Sequence, residues 1–155
     1  MPEKPIRILL VEDDPDQAAL LAGLLSKEDY EVSTVATGAR AVDAAEIHEP
    51  HLVFMDIGLA GGMDGVEAAV LVRKRTGLPV VFLTAHADPE TLGRAREAEP
   101  FGYLIKPIQP AQLRATVEIA LHKARIEQER HDLAAELEEA RAAIEELERR
   151  LDDVS

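Results

Sequence analysis

Cysteine and tryptophan are both absent from this 155-residue chain. Without thiols there is no disulfide, no thiolate metal centre and no cysteine nucleophile. Aromatic residues make up only 3%. Positive charge is scarce as well, with 17 Lys and Arg against 30 Asp and Glu and a net charge of −13. A nucleic-acid surface needs a basic stripe and an anionic membrane attracts polybasic segments, so neither partner is expected. No apolar run approaches the roughly 18 residues of a membrane span. The start, Met1-Pro2-Glu3-Lys4-Pro5, lacks the apolar stretch of a signal peptide. A cytoplasmic acidic protein is expected. Its 46% of hydrophobic residues supply a core of ordinary size, and the length predicts one domain with an appendage.

A second scarcity divides the chain. From Ile126 to Ser155 there is neither Gly nor Pro, and the stretch carries 11 acidic and 4 basic residues. All nine Gly and all nine Pro lie earlier. Turns therefore belong to a domain over 5–124, and 125–155 reads as an uninterrupted helical extension.

Within 5–124, short apolar runs alternate with amphipathic stretches. Strands are predicted over 6–11, 31–36, 51–55, 78–83 and 101–105. Helices are predicted over 15–27, 39–48, 65–76 and 89–99, with the last beginning at Pro110. Repeated strand-then-helix units imply parallel strands with right-handed crossovers. The first, third and fourth strands are near-continuous apolar runs, as expected when helices cover both faces. Five units are too few for an eight-stranded barrel. The expected fold is α/β, a five-stranded parallel doubly wound sheet of flavodoxin type, (βα)5, with its fifth helix extended into a coiled coil. Such sheets bind ligands at the carboxyl ends of their strands, where strand order reverses.

Polar residues collect at those ends. The first strand leads into Glu12-Asp13-Asp14, the third into Asp56, the fourth into Thr84 and the fifth into Lys106-Pro107. Crowded carboxylates repel one another, and a divalent cation relieves the repulsion. All-oxygen ligation suits Mg²⁺ or Mn²⁺. A carboxylate beside such an ion can act as a nucleophile and form an acyl phosphate, with the metal and a lysine screening the phosphoryl oxygens. Asp56, following the middle strand, is the best-placed acceptor.

Leu10-Val-Glu-Asp-Asp14, Met55-Asp56, Leu83-Thr-Ala85 and Lys106-Pro107 together resemble the response-regulator receiver family, over residues 5 to about 124. Four separated motifs in order on successive strand ends are far more specific than any one of them. The segment Met55-Asp-Ile-Gly-Leu-Ala-Gly-Gly-Met-Asp-Gly65 is similar to a branch with a longer loop after the phosphoacceptor, often found in front of sensor modules. The resemblance implies that Asp56 accepts a phosphoryl group from a histidine kinase or a histidine phosphotransfer protein. It implies that Asp13 ligates Mg²⁺ directly, Glu12 through water, and Gly58 through its backbone carbonyl. Lys106 would contact the phosphoryl oxygens, Thr84 would sense them, Tyr103 would be the aromatic switch, and Pro107 would follow a cis bond. Such a protein assists its own phosphorylation and dephosphorylation and turns over no separate substrate. Glu12 stands where Asp is commoner, and Gly58 and His86 hold positions that tune phosphoryl lifetime in relatives.

Plainer roles suit the neighbours. Asp14 and Asp16 read as charges at a helix start, with Pro15 in its first turn. The five histidines show no metal-ligand spacing. Gly61-Gly62 reads as a turn, since no Walker lysine follows.

In the last helix, Leu113, Val117, Ala120, Leu121 and Ala124 form one face, expected to dock on the sheet. A second series runs through Ile119, Ile126, Leu133, Leu137, Ala140, Ile144, Leu147, Leu151 and Val154, with alternating spacings of four and three from Leu133 onward. At about 100° per residue the two faces are roughly opposed. With Leu137, Ile144 and Leu151 at heptad position a, Glu136 at g faces Arg141 at e, an attractive pair in a parallel homodimer. Arg130 at an a position weakens the seam there. The plainer alternative is a single helix laced by pairs such as Glu145–Arg149.

The leading expectation is thus a phosphorylation-controlled signalling module. Either it acts through its dimer, or it is the receiver fragment of a larger sensor or output protein. A phosphohydrolase with an aspartyl-phosphate intermediate would need a second aspartate two residues beyond the nucleophile, where Gly58 stands. A coiled-coil scaffold with a vestigial receiver is disfavoured by the complete acidic cluster, Thr84 and Lys106.

Overall fold

A computed structural model describes residues 4–86 and 88–154. Met1, Pro2 and Glu3, within the chain start expected to lack a signal peptide, lie outside the described residues, as do Ala87 and Ser155. The elements follow in the order β1 (Arg7–Val11), α1 (Pro15–Lys27), β2 (Glu31–Val35), α2 (Gly38–His48), β3 (Leu52–Asp56), α3 (Gly65–Thr76), β4 (Val80–Thr84), α4 (Pro89–Ala95), β5 (Gly102–Ile105) and α5 (Pro110–Val154). All strand pairs are parallel, and the sheet order is β2-β1-β3-β4-β5. The flavodoxin-like doubly wound expectation is met, with strand order reversing between β1 and β3.

Alternation along the strands builds two cores. Leu9, Val11, Val53, Met55, Val80 and Phe82 point to one face, against Ala41 and Val42 of α2 and Val66, Ala69 and Val72 of α3. Ile8, Leu10, Leu52, Phe54, Val81 and Leu83 point to the other, against Leu21 and Leu25 of α1 and Leu113, Val117 and Ala120 of α5. β3 and β4 are buried throughout, whereas β2, at the sheet edge, is mostly exposed.

Local chemistry sets the helix starts. Asp14 caps α1 by accepting from the N–H groups of Asp16 and Gln17, Thr37 caps α2, Asp64 caps α3 and Asp88 caps α4. One boundary differs from expectation. The fourth helix, predicted over 89–99, ends at Ala95, and a 3₁₀ turn (Arg96–Ala98) follows, closed by Glu99 at φ 49°. Gly93 weakens the short α4, by about 1 kcal/mol relative to alanine, and tightening to 3₁₀ geometry is a common way for a helix to end.

The amino ends of the strands form a separate rim. There the Arg7 N–H donates to Nδ1 of His51, and its guanidinium donates to the Glu49 carbonyl.

The chain divides into two compact units between His122 and Lys123. In the second unit Leu133, Leu137, Ile144, Leu147 and Leu151 are between 56% and 69% exposed. Arg149 and Arg150 both pair with Glu146, so Arg149 makes an i,i+3 pair here and not the anticipated one with Glu145.

Candidate functional site

Every strand except β2 delivers polar groups at its carboxyl end. β1 delivers Glu12 and Asp13, β3 Asp56, β4 Thr84 and β5 Lys106. They line an open cleft of about 760 Å³ together with Gly58, Ala85, His86 and Gln17. Glu12, Asp56 and Thr84 are the buried polar residues there, at 2%, 8% and 3% exposure. Asp13 is half-buried, and its Oδ2 accepts from the Ala60 N–H at 3.1 Å. Oδ1 of Asp56 accepts from the Gly58 N–H at 2.8 Å. Gly65 makes this approach possible. A Cβ there would stand 2.1 Å from the Asp56 carbonyl oxygen, so α3 can start against the end of β3 only with glycine.

Lys106 ties the carboxylates together. Its ammonium donates to Glu12 Oε1 at 2.9 Å, Gln17 Oε1 at 2.6 Å and Asp56 Oδ2 at 3.3 Å. The Lys106–Pro107 bond is cis, as anticipated. Burial works against the ammonium, but Glu12 and Asp56 more than offset it and hold its pKa above the ordinary lysine value. Glu12 goes the other way. Burial first, then the adjoining Asp56 carboxyl, lifts its pKa to about 7 despite the nearby lysine.

This electrostatic frustration suits a cation. One carboxylate oxygen from each of Glu12, Asp13 and Asp56 lies within 4.8 Å of the others. Glu12 Oε2 is buried and has no hydrogen-bond partner among the described residues. An all-oxygen, partly hydrated donor set of this kind fits Mg²⁺ or Mn²⁺.

Thr84 donates its hydroxyl proton to the His86 carbonyl at 2.6 Å and accepts from the His86 N–H at 3.0 Å. Tyr103 stands apart from the cleft. It is half-buried, its ring stacks on Phe82 at 6.2 Å, and it lines a neighbouring depression with Ile105 and Gln112.

The structure thus gathers Glu12, Asp13, Asp56, Gly58, Thr84 and Lys106 in one place, and leaves Tyr103 beside it. Sequence reasoning missed Gln17, whose contact with Lys106 crosses 89 residues and carries no local signal. It also missed the role of Gly65. The Asp64-Gly65 pair, a helix cap followed by a residue without a side chain, could have revealed it.

Comparison with known proteins identifies the family. The family model for the response regulator receiver domain matches residues 8–118. The transcriptional regulatory protein PdtaR of Mycobacterium tuberculosis is 36% identical over 122 residues, which are 78% of this chain and 59% of PdtaR. The chain thus matches about three-fifths of that relative's length. The signal receiver domain of a modulated diguanylate cyclase from Desulfovibrio desulfuricans is 38% identical with a TM-score of 0.75, over 80% of this chain and 99% of that one. A trimeric coiled-coil segment of yeast Spc42 fused to another structure is 35% identical with a TM-score of 0.78, over 93% of this chain and 99% of that one. With its family match, its strand order and its cleft, the chain belongs to the response regulator receiver domain family of two-component systems.

Proposed function

We propose that residues 5–124 receive a phosphoryl group on Asp56 from a histidine kinase or a histidine phosphotransfer protein. The observation that carries this reading is the bridging of Asp56 and Glu12 by Lys106, with Asp13 close by. An Asp56 oxygen attacks phosphorus, a new O–P bond forms, and the bond from phosphorus to the donor's imidazole nitrogen breaks, its electron pair staying on nitrogen. Lys106 then neutralises one phosphoryl oxygen. Glu12, Asp13, Asp56 and the Gly58 carbonyl would hold Mg²⁺, or Mn²⁺ in its place. When bound, the ion supplies positive charge to the transferring group. Hydrolysis reverses the state: water attacks phosphorus, the acyl phosphate opens, and inorganic phosphate leaves. No separate substrate is turned over.

The Thr84 hydroxyl, now spent on His86, is the sensor, because re-pairing with a phosphoryl oxygen would release that contact. Tyr103, one strand over, is the group that answers. The leucine seam of 125–155, at Ile126, Leu133, Leu137, Ala140, Ile144, Leu147 and Leu151, forms a parallel homodimer whose geometry carries the output. The exposure of those leucines and their four-three spacing support self-association. A second reading, in which the receiver serves a larger sensor or output protein, is favoured by the partial span of PdtaR.

The test is phosphorylation by acetyl phosphate in Mg²⁺, followed by intact mass. The wild type should gain one phosphoryl group and Asp56→Asn none. Equal labelling of both would overturn the assignment. Light scattering on the same samples separates dimer from trimer and shows whether assembly follows phosphorylation.

A further inference from the structure

We propose that Gln17 is a positioning residue for phosphoryl transfer, its amide oxygen limiting how closely the Lys106 ammonium pairs with Asp56 until the phosphoryl group arrives. The inference rests on the Asp56 reading above and adds a group to it.

The order of distances carries the argument. An ammonium has three donors and no acceptor. Those of Lys106 meet Gln17 at 2.6 Å, Glu12 at 2.9 Å and Asp56 at 3.3 Å. The shortest contact is to the neutral amide and the longest is to the carboxylate proposed as nucleophile. Charge alone would set both carboxylates closer than the amide, since carboxylates attract an ammonium more strongly. The Lys106 side chain is 19% exposed, and Gln17 lies at the open rim of the cleft. The pull of Gln17 is therefore outward, away from the acidic floor.

The amide is aimed by its own neighbours. Its Nε2 donates to Asp14 Oδ2 at 3.4 Å, and Oδ1 of that carboxylate caps α1 by accepting from the N–H groups of Asp16 and Gln17. Reversing the amide would set its NH₂ against the ammonium and its oxygen against the carboxylate, and both contacts would repel. Asp14 thus fixes Gln17, and Gln17 fixes Lys106.

The chemical consequence follows from where charge develops. A lysine collapsed onto Asp56 would neutralise the attacking oxygen before the donor binds. A lysine drawn toward Gln17 pairs with that oxygen at the longest of its three contacts, 3.3 Å, and remains beside the place the incoming phosphoryl oxygens will take.

The test compares wild type, Gln17→Leu and Gln17→Glu in the full chain, with acetyl phosphate as donor and Mg²⁺ present. Leucine keeps the bulk and removes the acceptor. The maximal phosphorylation rate of Gln17→Leu should fall by about tenfold, the scale of one lost hydrogen bond to a charged group. The half-saturating donor concentration and the Mg²⁺ affinity should not change. Side-chain NMR of the lysine NH₃⁺ groups should show a protected Lys106 signal in wild type and Gln17→Glu, and its loss in Gln17→Leu. An unchanged maximal rate in Gln17→Leu, or equal losses of rate and Mg²⁺ affinity, would overturn the proposal. If the wild type itself takes no phosphoryl group, the Asp56 reading fails, and the NMR signal still decides whether Gln17 holds the lysine.

Discussion

Lys106 and Glu12 form a largely buried ion pair in which only one carboxylate oxygen is answered. Nζ lies 2.9 Å from Oε1, while Oε2 is buried and accepts no hydrogen bond among the described residues. The pair is incomplete as it stands, and its behaviour depends on what is added to it.

The first consequence is a pH dependence of the metal-free protein. The pKa of Glu12 rises from 4.5 to about 7 on folding. Its contribution to stability is therefore fully present below pH 4.5, declines as the pH rises and is lost above about 7. Glu12→Gln cannot ionise. In chelator, its stability relative to the wild type should rise between pH 4.5 and 8, by an amount on the order of 3 kcal/mol. Thermal unfolding of both proteins across that range checks it, and parallel curves would refute it. Adding Mg²⁺ at pH 8 should stabilise the wild type more than the variant.

Gly65→Ala should be severely destabilising. The new Cβ would meet the backbone of Asp56 and Ile57, neither of which can swing aside. A loss of about 3 kcal/mol is expected, read from urea denaturation. Mg²⁺ affinity should fall as well, because the displaced backbone carries Asp56.

Asp64 and Arg94 separate a cap from an ion pair. Asp64 accepts from the Glu67 N–H and pairs with Arg94 of α4. The pair is partly exposed, so Arg94→Ala should cost less than 1 kcal/mol. Asp64→Ala also removes the cap of α3 and should cost about 1 kcal/mol more. Chemical denaturation of the two variants and the double variant measures the difference. Equal losses would mean that the cap adds nothing.

Leu137→Glu combined with Ile144→Glu should abolish self-association, because both fall at a positions of the seam. Light scattering should report a single chain, while acetyl phosphate should still modify Asp56. A persistent oligomer would move the interface elsewhere.

Much of the fold was legible because its signals are local. The apolar runs around Leu9, Phe54 and Phe82 declared the strands, and Pro15 and Pro110 declared helix starts. The acidic pair, Asp56, Thr84 and Lys106 were legible because the topology sends every strand end to one rim. The split of the fourth helix at Ala95 was not, since Arg96, Glu97 and Ala98 are ordinary helix formers and only the backbone reveals the tighter turn. Gln17 was silent for another reason. A glutamine on an exposed helix turn has no distinctive pattern, and its meaning comes from a lysine brought to it by four strand crossings.

The rim that holds Arg7 and His51 has a practical use. It lies a strand's length from Asp56, about 16 Å for five residues, and contributes nothing to the cleft. Glu31, exposed at the start of the edge strand, sits on that rim beside Arg7. A cysteine introduced there would be the chain's sole thiol. A dye attached to it would report on the chain from a point outside the cleft that Glu12, Asp56 and Lys106 line.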